Sequence, residues 1–269
     1  MAKYSLKNQS ILITGANRGI GAAIATASAQ RGSRVILGVR DPADSTAQDM
    51  RRKLEALGAN VEVIELNLSS RAHIEDFLKR WGAREAPDVL VHNAGVLTGG
   101  LIESQSVDEI YLSLQVNLVG VAHLTREMLP AMLRRGSGCV VVNSSVSGVM
   151  NFPLASTYSA AKTGVLALAN CVRAETQGTG VRVLSLLTPG VKTRMFDEIP
   201  KRYGAHLDLD FLEGAISAEA WAEQVCDAIE AGVEELNPRG ATRAGLWMAR
   251  HVPGVFQRLV ASKFNRSGS

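Results

Sequence analysis

The sequence has few cysteines, no long apolar run and no apolar start. Its three cysteines, Cys139, Cys171 and Cys226, stand far apart and form no CxxC pair. This spacing is typical of free thiols, and it argues against a disulfide framework or a thiolate metal site. No apolar stretch approaches the ~18 residues that a membrane-spanning helix needs. Residues 1–10 also lack the apolar core of a secretion signal. We therefore expect a cytoplasmic protein without an integral membrane segment.

An excess of charge of one sign is also missing. The 29 Lys and Arg residues nearly balance the 26 Asp and Glu residues, which leaves a net charge of +3. No long basic run is interleaved with aromatic residues, so we expect no nucleic-acid partner. The five histidines show no metal-ligand spacing, and we expect no metal site.

What the sequence does contain is a regular alternation of short Val-, Ile- and Leu-rich runs with longer helical patterns. Apolar runs without polar alternation are typical of strands that are covered on both faces. The predicted strands are Ser10–Thr14, Arg34–Val39, Val61–Leu66, Asp88–His92, Gly138–Ser144 and Val181–Leu187. Helices are predicted near 20–31, 43–57, 71–82, 107–135, 157–177 and 218–231. This order predicts an α/β fold, a Rossmann-like doubly wound parallel sheet with helices on both faces. No linker or repeat divides the chain, so we expect one domain over residues 1–269.

A glycine-rich turn follows the first predicted strand and opens an Ala-rich helix. It reads Gly15-Ala16-Asn17-Arg18-Gly19-Ile20-Gly21. A strand that enters a helix through glycines points the helix N-terminus at a bound pyrophosphate. The spacing alone fits a plain strand–helix turn equally well. The position of the turn in the first strand–helix unit favours a dinucleotide site.

A candidate catalytic set surrounds the fifth predicted strand. Tyr158 and Lys162 stand four residues apart, which places both on one helical face. Ser145 lies at the end of the strand, thirteen residues before Tyr158. We expect the Lys162 ammonium to lower the pKa of the Tyr158 phenol toward the range that suits acid–base catalysis. The alternative is a surface tyrosine beside a solvated lysine.

These motifs together resemble the short-chain dehydrogenase/reductase family, from Thr14 to about Thr193. The family's other motifs appear here as Asn93-Ala94-Gly95 and Pro189-Gly190. The resemblance implies an oxidoreductase that moves a hydride between a nicotinamide cofactor and a carbonyl or secondary alcohol. It implies cofactor contacts at Gly15, Asn17, Arg18, Gly19, Ile20, Gly21, Arg40, Asn67, Leu68, Asn93, Ala94, Gly95, Tyr158, Lys162, Pro189, Gly190 and Thr193.

The same resemblance implies a role for each catalytic residue. Tyr158 gives a proton to the carbonyl oxygen in reduction and takes one from the alcohol in oxidation. Lys162 lowers the pKa of the phenol and binds the nicotinamide ribose, and Ser145 polarises the substrate oxygen. Asn117 completes a catalytic tetrad and holds a water that links Lys162 to solvent. A structural residue that bends its helix is the alternative for Asn117.

The second predicted strand ends where the family reads the cofactor's ribose. Family members that use NAD usually carry an acidic residue there, and this position aligns with Val39. Arg40 follows at once, and Arg18 lies in the glycine turn, so two guanidiniums could hold a 2′-phosphate. We therefore expect NADP in preference to NAD. Arg40 could instead pair with Asp41 or Asp44, and an alignment slip of one residue would bring Asp41 to the ribose and favour NAD.

The sequence departs from the family pattern at four places. His92 replaces the Asn that usually precedes the Asn-Ala-Gly triplet, and Asn67-Leu68 stands where an Asp often contacts adenine. Thr193 comes three residues after Gly190, where the family's threonine comes four later, which weakens its expected contact with the nicotinamide. The family's seventh strand is hard to find, with Ala241–Leu246 as a faint candidate.

The substrate is expected to be a neutral, largely apolar carbonyl or alcohol compound. Two segments reach the catalytic edge, Val146–Leu154 and the probable substrate-binding loop at 193–217. They offer the apolar residues Val149, Met150, Phe152, Met195, Phe196, Tyr203 and Phe211. An acidic substrate is the alternative, and it would use Lys192, Arg194, Lys201 and Arg202.

Three broader hypotheses follow from the same residues. A non-catalytic dinucleotide-binding regulator or scaffold is the alternative function, but the presence of both Tyr158 and Lys162 favours an enzyme. The long helices at 107–135 and 157–177 predict a homodimer or homotetramer, as in the family. The apolar and basic segment at 246–264 is expected to pack on the body or on another subunit, with docking on a membrane as the alternative.

Overall fold

The computed structural model describes residues 4–209 and 214–268. Nine strands lie within these residues: β1 Ser10–Thr14, β2 Arg34–Val39, β3 Val61–Glu65, β4 Val89–His92, β5 Gly138–Asn143, β6 Val181–Leu186, β7 Val191–Lys192, β8 Ile216–Ser217 and β9 Glu235–Leu236. Seven of them form one parallel sheet in the order β3-β2-β1-β4-β5-β6-β9, and β7 pairs with β8 in a small second sheet. The strand order reverses at β1 and β4, which makes their carboxyl ends the place for a ligand.

Helices cover both faces of the sheet. They are α1 Gly19–Gln30, α2 Ser45–Ala56, α3 Arg71–Trp81, α4 Val107–Leu114, α5 Gly120–Arg135, α6 Ser156–Glu175, α7 Arg194–Asp197, α8 Ile199–Tyr203, α9 Ala218–Ala231, α10 Gly240–His251 and α11 Pro253–Ser262. One buried cluster lies under α1, α2 and α9, and a second lies under α3, α5 and α6. Each cluster takes alternate residues of the strands, as a sheet covered on both faces requires. The predicted doubly wound single domain is confirmed.

The structure corrects two of the predicted elements. The helix predicted at 107–135 is interrupted by a π-helical turn at Gln115–Val119. The strand predicted at Ala241–Leu246 is wrong, because these residues belong to α10. The seventh strand is β9, which pairs with β6 through Leu186 and Leu236. Two residues are too few to show a strand period, so only the neighbouring strand identifies β9.

The C-terminal helices pack on the body of the domain. Leu246 of α10 and Phe256 and Val260 of α11 are buried. After α11, Phe264 forms an isolated antiparallel β-bridge with Leu207. Of the two placements predicted for this segment, on the body or on another subunit, the structure shows packing on the body. Within the described residues, no helix is long and apolar enough to cross a membrane.

Candidate active site

The glycine turn after β1 is built so tightly that three of its positions need glycine. Gly15 and Gly19 have φ angles of +66° and +56°, a region that side chains with a Cβ rarely adopt. A Cβ on Gly21 would lie 2.3 Å from the Gly15 carbonyl oxygen. Among the described residues no side chain caps the start of α1 at Arg18, so the first amides of the helix can donate to phosphate oxygens. The turn fits the pyrophosphate of a dinucleotide.

The Asn-Ala-Gly triplet after β4 holds this turn in place. The Asn93 side chain donates to the carbonyls of Thr14 and Gly15 at 3.0 and 3.2 Å. In return, the Thr14 hydroxyl accepts the amides of Asn93 and Ala94 at 3.0 and 2.9 Å. Asn143, at the end of β5, donates to the Asn93 side chain at 3.1 Å. The triplet therefore shapes the cofactor edge mainly by bracing the turn.

Sequence reasoning missed three members of this network. Thr14, Asn143 and Thr188 lie at the ends of β1 and β5 and just after β6, and all three are buried. The Thr188 hydroxyl donates to the Asn143 side chain, whose backbone carbonyl in turn accepts from Lys162. A polar residue that closes an apolar strand was the available signal, and it is the signal that pointed to Ser145.

The structure brings Tyr158, Lys162 and Ser145 together at the carboxyl end of β5. The Lys162 ammonium lies 5.7 Å from the centroid of the Tyr158 ring and donates to the Asn143 carbonyl at 2.9 Å. Ser145 lies close enough to the Tyr158 hydroxyl to act against the rise in its pKa. Its neighbour Ser144 instead donates to the Lys162 carbonyl at 2.8 Å, which leaves Ser145 as the hydroxyl that faces the phenol.

Burial, and not the ammonium, dominates the titration of this pair. Burial raises the pKa of Tyr158 to about 12, against a smaller opposing effect of the Ser145 hydroxyl. Burial also lowers the pKa of Lys162 to about 8. The expected fall in the pKa of the phenol is therefore not seen in the protein alone. Tyr158 keeps its proton throughout the neutral range.

Asn117 lies in the π-helical turn and is buried. Its side chain accepts the Val96 amide and donates to the Val96 carbonyl, both at 3.0 Å. A Cβ placed on Gly95 would lie 2.9 Å from the Asn117 side-chain oxygen and 3.7 Å from the Lys162 nitrogen. The two predicted tetrad members thus meet at Gly95. Asn117 also braces the segment after β4, so its place in the site and its structural role coexist.

The predicted 2′-phosphate site lies between the glycine turn and the start of α2. Asp44 caps α2 by accepting the Thr46 amide at 2.8 Å. Hydrogen bonds from Thr46 hold the pKa of Asp44 below its usual value, with a further contribution from the Arg18 guanidinium. Asn17 donates to the Thr46 hydroxyl at 2.8 Å. Arg18 and the loop after β2 are therefore neighbours.

The acidic residues near Arg40 have other partners. Asp41 accepts the Ala43 amide at 2.8 Å within its own loop. Arg40 is exposed, and it forms no ion pair with any residue in 4–209 or 214–268. The proposed pairing of Arg40 with Asp41 or Asp44 is therefore absent from the described part of the chain. Arg40 remains available to an anion.

Asn67 and Leu68, the residues predicted to lie beside the adenine, follow β3. Asn67 accepts the Ser69 amide at 3.0 Å. Leu68 is buried, and its carbonyl accepts the Gln115 side chain at 3.1 Å. Both residues therefore lie at the carboxyl end of β3, next to the π-helical turn.

Thr193 reaches the glycine turn in spite of its unusual spacing. A Cβ on Gly19 would lie 3.3 Å from the Thr193 methyl group. The Thr193 hydroxyl accepts the Phe196 amide and caps α7, while the Phe196 ring packs over Gly190. The Pro189-Gly190 segment and Thr193 thus close the cofactor edge from the side of β6.

The apolar residues predicted for the substrate side divide into two groups. Val149 and Met150 pack with Leu246 of α10, and Phe152 packs edge-on against Phe256 of α11. Val149, Met150 and Phe152 therefore pack against the C-terminal helices. Phe196 and Tyr203 stay at the catalytic edge, and Met195 is exposed. Phe211 lies outside the described residues.

Tyr203 forms a wall next to Tyr158. Its hydroxyl donates to the Thr98 carbonyl at 2.9 Å, and its ring is buried. Burial raises the pKa of Tyr203, and a negative charge on Tyr158 would raise it further, which places the two phenols near each other. An open cleft of about 630 Å³ has Ser156, Ala160 and Thr163 on one wall. Helical spacing puts these residues on the other face of α6 from Tyr158, so the cleft is separate from the catalytic edge.

The comparison with known proteins identifies the family. The family model described as short chain dehydrogenase matches residues 9–204. This chain therefore belongs to the short-chain dehydrogenase/reductase family of NAD(P)-dependent oxidoreductases.

Individual relatives agree with this assignment. The chain is 30 % identical over 198 residues to the 3-oxoacyl-[acyl-carrier-protein] reductase FabG of Thermotoga maritima, covering 73 % of this chain and 80 % of that protein. It is 34 % identical over 208 residues to the glycine betaine reductase ATRR of Emericella nidulans, covering 75 % of this chain but only 16 % of that much longer protein. An alcohol dehydrogenase from the archaeon Thermococcus sibiricus, solved with 5-hydroxy-NADP, superimposes with a TM-score of 0.73 at 28 % identity. It covers 88 % of this chain and 98 % of that one.

Proposed function

We propose that this protein is an NADP(H)-dependent reductase of neutral, largely apolar carbonyl compounds. The observation that carries the proposal is the grouping of the Tyr158 hydroxyl with Ser145 and the buried Lys162. Together these groups form an acid and an oxygen-binding hydroxyl at the edge of a dinucleotide cradle. The Thermococcus relative, an alcohol dehydrogenase by its name, supports the same class of reaction.

The state of Tyr158 favours the direction of reduction. With a pKa near 12, the phenol carries its proton at neutral pH and can donate it to a carbonyl oxygen. Ser145 is placed to donate to the same oxygen while negative charge develops on it. Lys162 is mostly protonated at pH 7, and its link to the Asn143 carbonyl fixes the ammonium near Gly95. NADPH, when bound, supplies the hydride.

The preference for NADP rests on the two arginines. Arg18 and Arg40 flank the end of β2, where Val39 stands in place of an acidic residue. Asp41 is engaged with the Ala43 amide, and Asp44 caps α2. Both carboxylates thus already accept hydrogen bonds within their own segments. The 5-hydroxy-NADP in the Thermococcus structure supports this assignment.

The proposal of a neutral substrate rests on the charges around the 193–217 loop. Lys201 pairs with Glu198 at 2.7 Å, and Arg202 pairs with Glu109 at 2.6 Å. Half of the cations that an acidic substrate could use are thus already neutralised. Phe196 and Tyr203 offer apolar surface at the same edge. We expect this loop to hold the substrate and to close over it.

The oxidation of NADPH against a panel of ketones, aldehydes, quinones and sterols tests the proposal. Tyr158→Phe should remove nearly all turnover and leave the Kd for NADPH within about twofold, because the ring remains and only the acid is lost. Tyr111→Phe is the matched control, since Tyr111 is 72 % exposed on α4. Activity of Tyr158→Phe within tenfold of the parent would show that another group is the acid. Tight NADPH binding without turnover on any substrate would favour a regulator.

A further inference from the structure

The C-terminal helix pair carries an apolar surface that the domain leaves uncovered. Trp247 of α10 is 59 % exposed, and Val255 and Leu259 of α11 are 57 % and 50 % exposed. Val252, between the two helices, is also exposed. We call these four side chains, with the basic residues around them, the C-terminal surface. The exposed apolar residues Tyr111 and Leu112 belong to another element, α4.

The helices hold this surface in a defined shape. Val255 and Leu259 stand four residues apart, so they share the outer face of α11, and Val252 directly precedes that helix. Phe256 and Val260 occupy the inner face and are buried. The Trp247 ring stacks on His251 with a centroid distance of 4.9 Å. Trp247 is thereby fixed at the corner next to Val252.

The charged residues that this part of the chain itself contributes all have one sign. Residues 237–269 contain six basic side chains and no acidic one, whereas the rest of the chain has 23 basic and 26 acidic residues. Arg250, Lys263 and Arg266 form ion pairs with acidic residues earlier in the chain.

Three arginines are left over. Arg239, Arg243 and Arg258 form no ion pair within residues 4–209 and 214–268. Arg243 precedes Trp247 by one helical turn, and Arg258 adjoins Leu259. The unpaired positive charge therefore lies beside the exposed apolar side chains.

We propose that the C-terminal surface docks the protein on an anionic lipid bilayer. A tryptophan and aliphatic side chains that are flanked by arginines form the composition of a helix lying in the membrane interface. With 12 and 10 residues, α10 and α11 are too short to span a bilayer. A second copy of the surface would bring the same unpaired arginines face to face. The docking does not depend on the proposed reaction.

The C-terminal surface is joined directly to the wall of the substrate side. After α11, the Asn265 amide donates to the His206 carbonyl at 2.8 Å, and the Asp208 amide donates to the Lys263 carbonyl at 3.0 Å. Tyr203, which lies near Tyr158, precedes His206 by one helical turn. Docking would therefore place the substrate loop close to the lipid. An apolar substrate could then enter from the bilayer, a consequence that, unlike the docking, rests on the proposed function.

Vesicle binding by the full chain tests the docking. We expect co-sedimentation with vesicles of phosphatidylcholine and phosphatidylglycerol, at least tenfold weaker binding to phosphatidylcholine alone, and release at high salt. Trp81 and Trp221 are buried, so a blue shift of tryptophan emission on vesicle addition would report the insertion of Trp247. Trp247→Ser should abolish that shift.

A matched pair of double variants provides the control. Arg258→Glu with Leu259→Gln should weaken binding to the anionic vesicles at least tenfold. Lys53→Glu with Leu57→Gln makes the same change of charge and polarity on exposed positions of α2, and it should leave binding unchanged. Equal loss in both pairs would overturn the proposal, as would equal binding to both kinds of vesicle. A change in sedimentation of the first pair without lipid would also overturn it, because the surface would then join copies of the chain.

Discussion

The replacement of Arg40 by alanine is the sharpest test of the cofactor assignment. Arg40 is exposed, and it forms no ion pair within the described residues, so its removal should leave the free energy of unfolding within about 0.5 kcal/mol. A hydrogen bond to a charged group contributes roughly 1.5–3 kcal/mol. The Kd for NADPH should therefore rise about 10- to 150-fold, while the Kd for NADH should change less than about twofold.

Titration of cofactor binding by fluorescence at two salt concentrations measures both constants. Arg52→Ala is the matched control, because Arg52 is an exposed arginine on α2 whose partner, Asp49, lies on the same helix. The loss for Arg40→Ala should shrink at high salt, since ions screen an exposed guanidinium from a phosphate. Equal losses for NADPH and NADH would refute the assignment. So would a loss of NADH affinity in Asp41→Asn, since Asp41 would then be reading the ribose.

Three further predictions concern stability, assembly and the substrate. Burial lowers the pKa of His92 to about 3, so below pH 6.5 the unfolded chain binds more protons at this residue than the folded chain does. The free energy of unfolding should therefore fall by up to about 1.4 kcal/mol per pH unit from pH 6.5 toward pH 3. His92→Asn should flatten that slope in urea melts at pH 4–7, and an unchanged slope would contradict it. Tyr111 and Val119 are exposed on the face where the family pairs its subunits, so we expect a dimer or tetramer. The double variant Tyr111→Asp with Val119→Asp should dissociate it. A parent protein that is strictly monomeric in sedimentation at micromolar concentration would contradict this prediction. Phe196→Ala should raise KM for bulky ketones about tenfold with little change in the Kd for NADPH, whereas a preference for small keto acids would argue for a charged pocket.

The sequence by itself determined the frame of the fold and pointed to the candidate catalytic residues. The first six sheet strands are recognisable because each is a run of apolar residues, and the glycine turn follows β1 directly. Tyr158 and Lys162 share a helical face at a fixed spacing. All of these features are local in the chain, so neighbouring residues are enough to reveal them. The segment at 193–217 was predicted as a loop, but it contains α7, α8 and β8, because helices of four and five residues and a two-residue strand are too short to show a period.

The tertiary structure decided the features that depend on distant contacts. The two-residue strand β9 is recognisable only because it pairs with β6. Residues Ala241–Leu246 belong to α10, whose Gly245 lies against Met150. Thr193 reaches Gly19 in spite of its irregular spacing, because β7 and α7 fold back along the glycine turn. Spacing predicted that Lys162 would acidify the phenol, but burial outweighs the ammonium and raises the pKa of Tyr158. Desolvation depends on every atom packed around a group, and for that reason only the folded chain sets the strength of the acid.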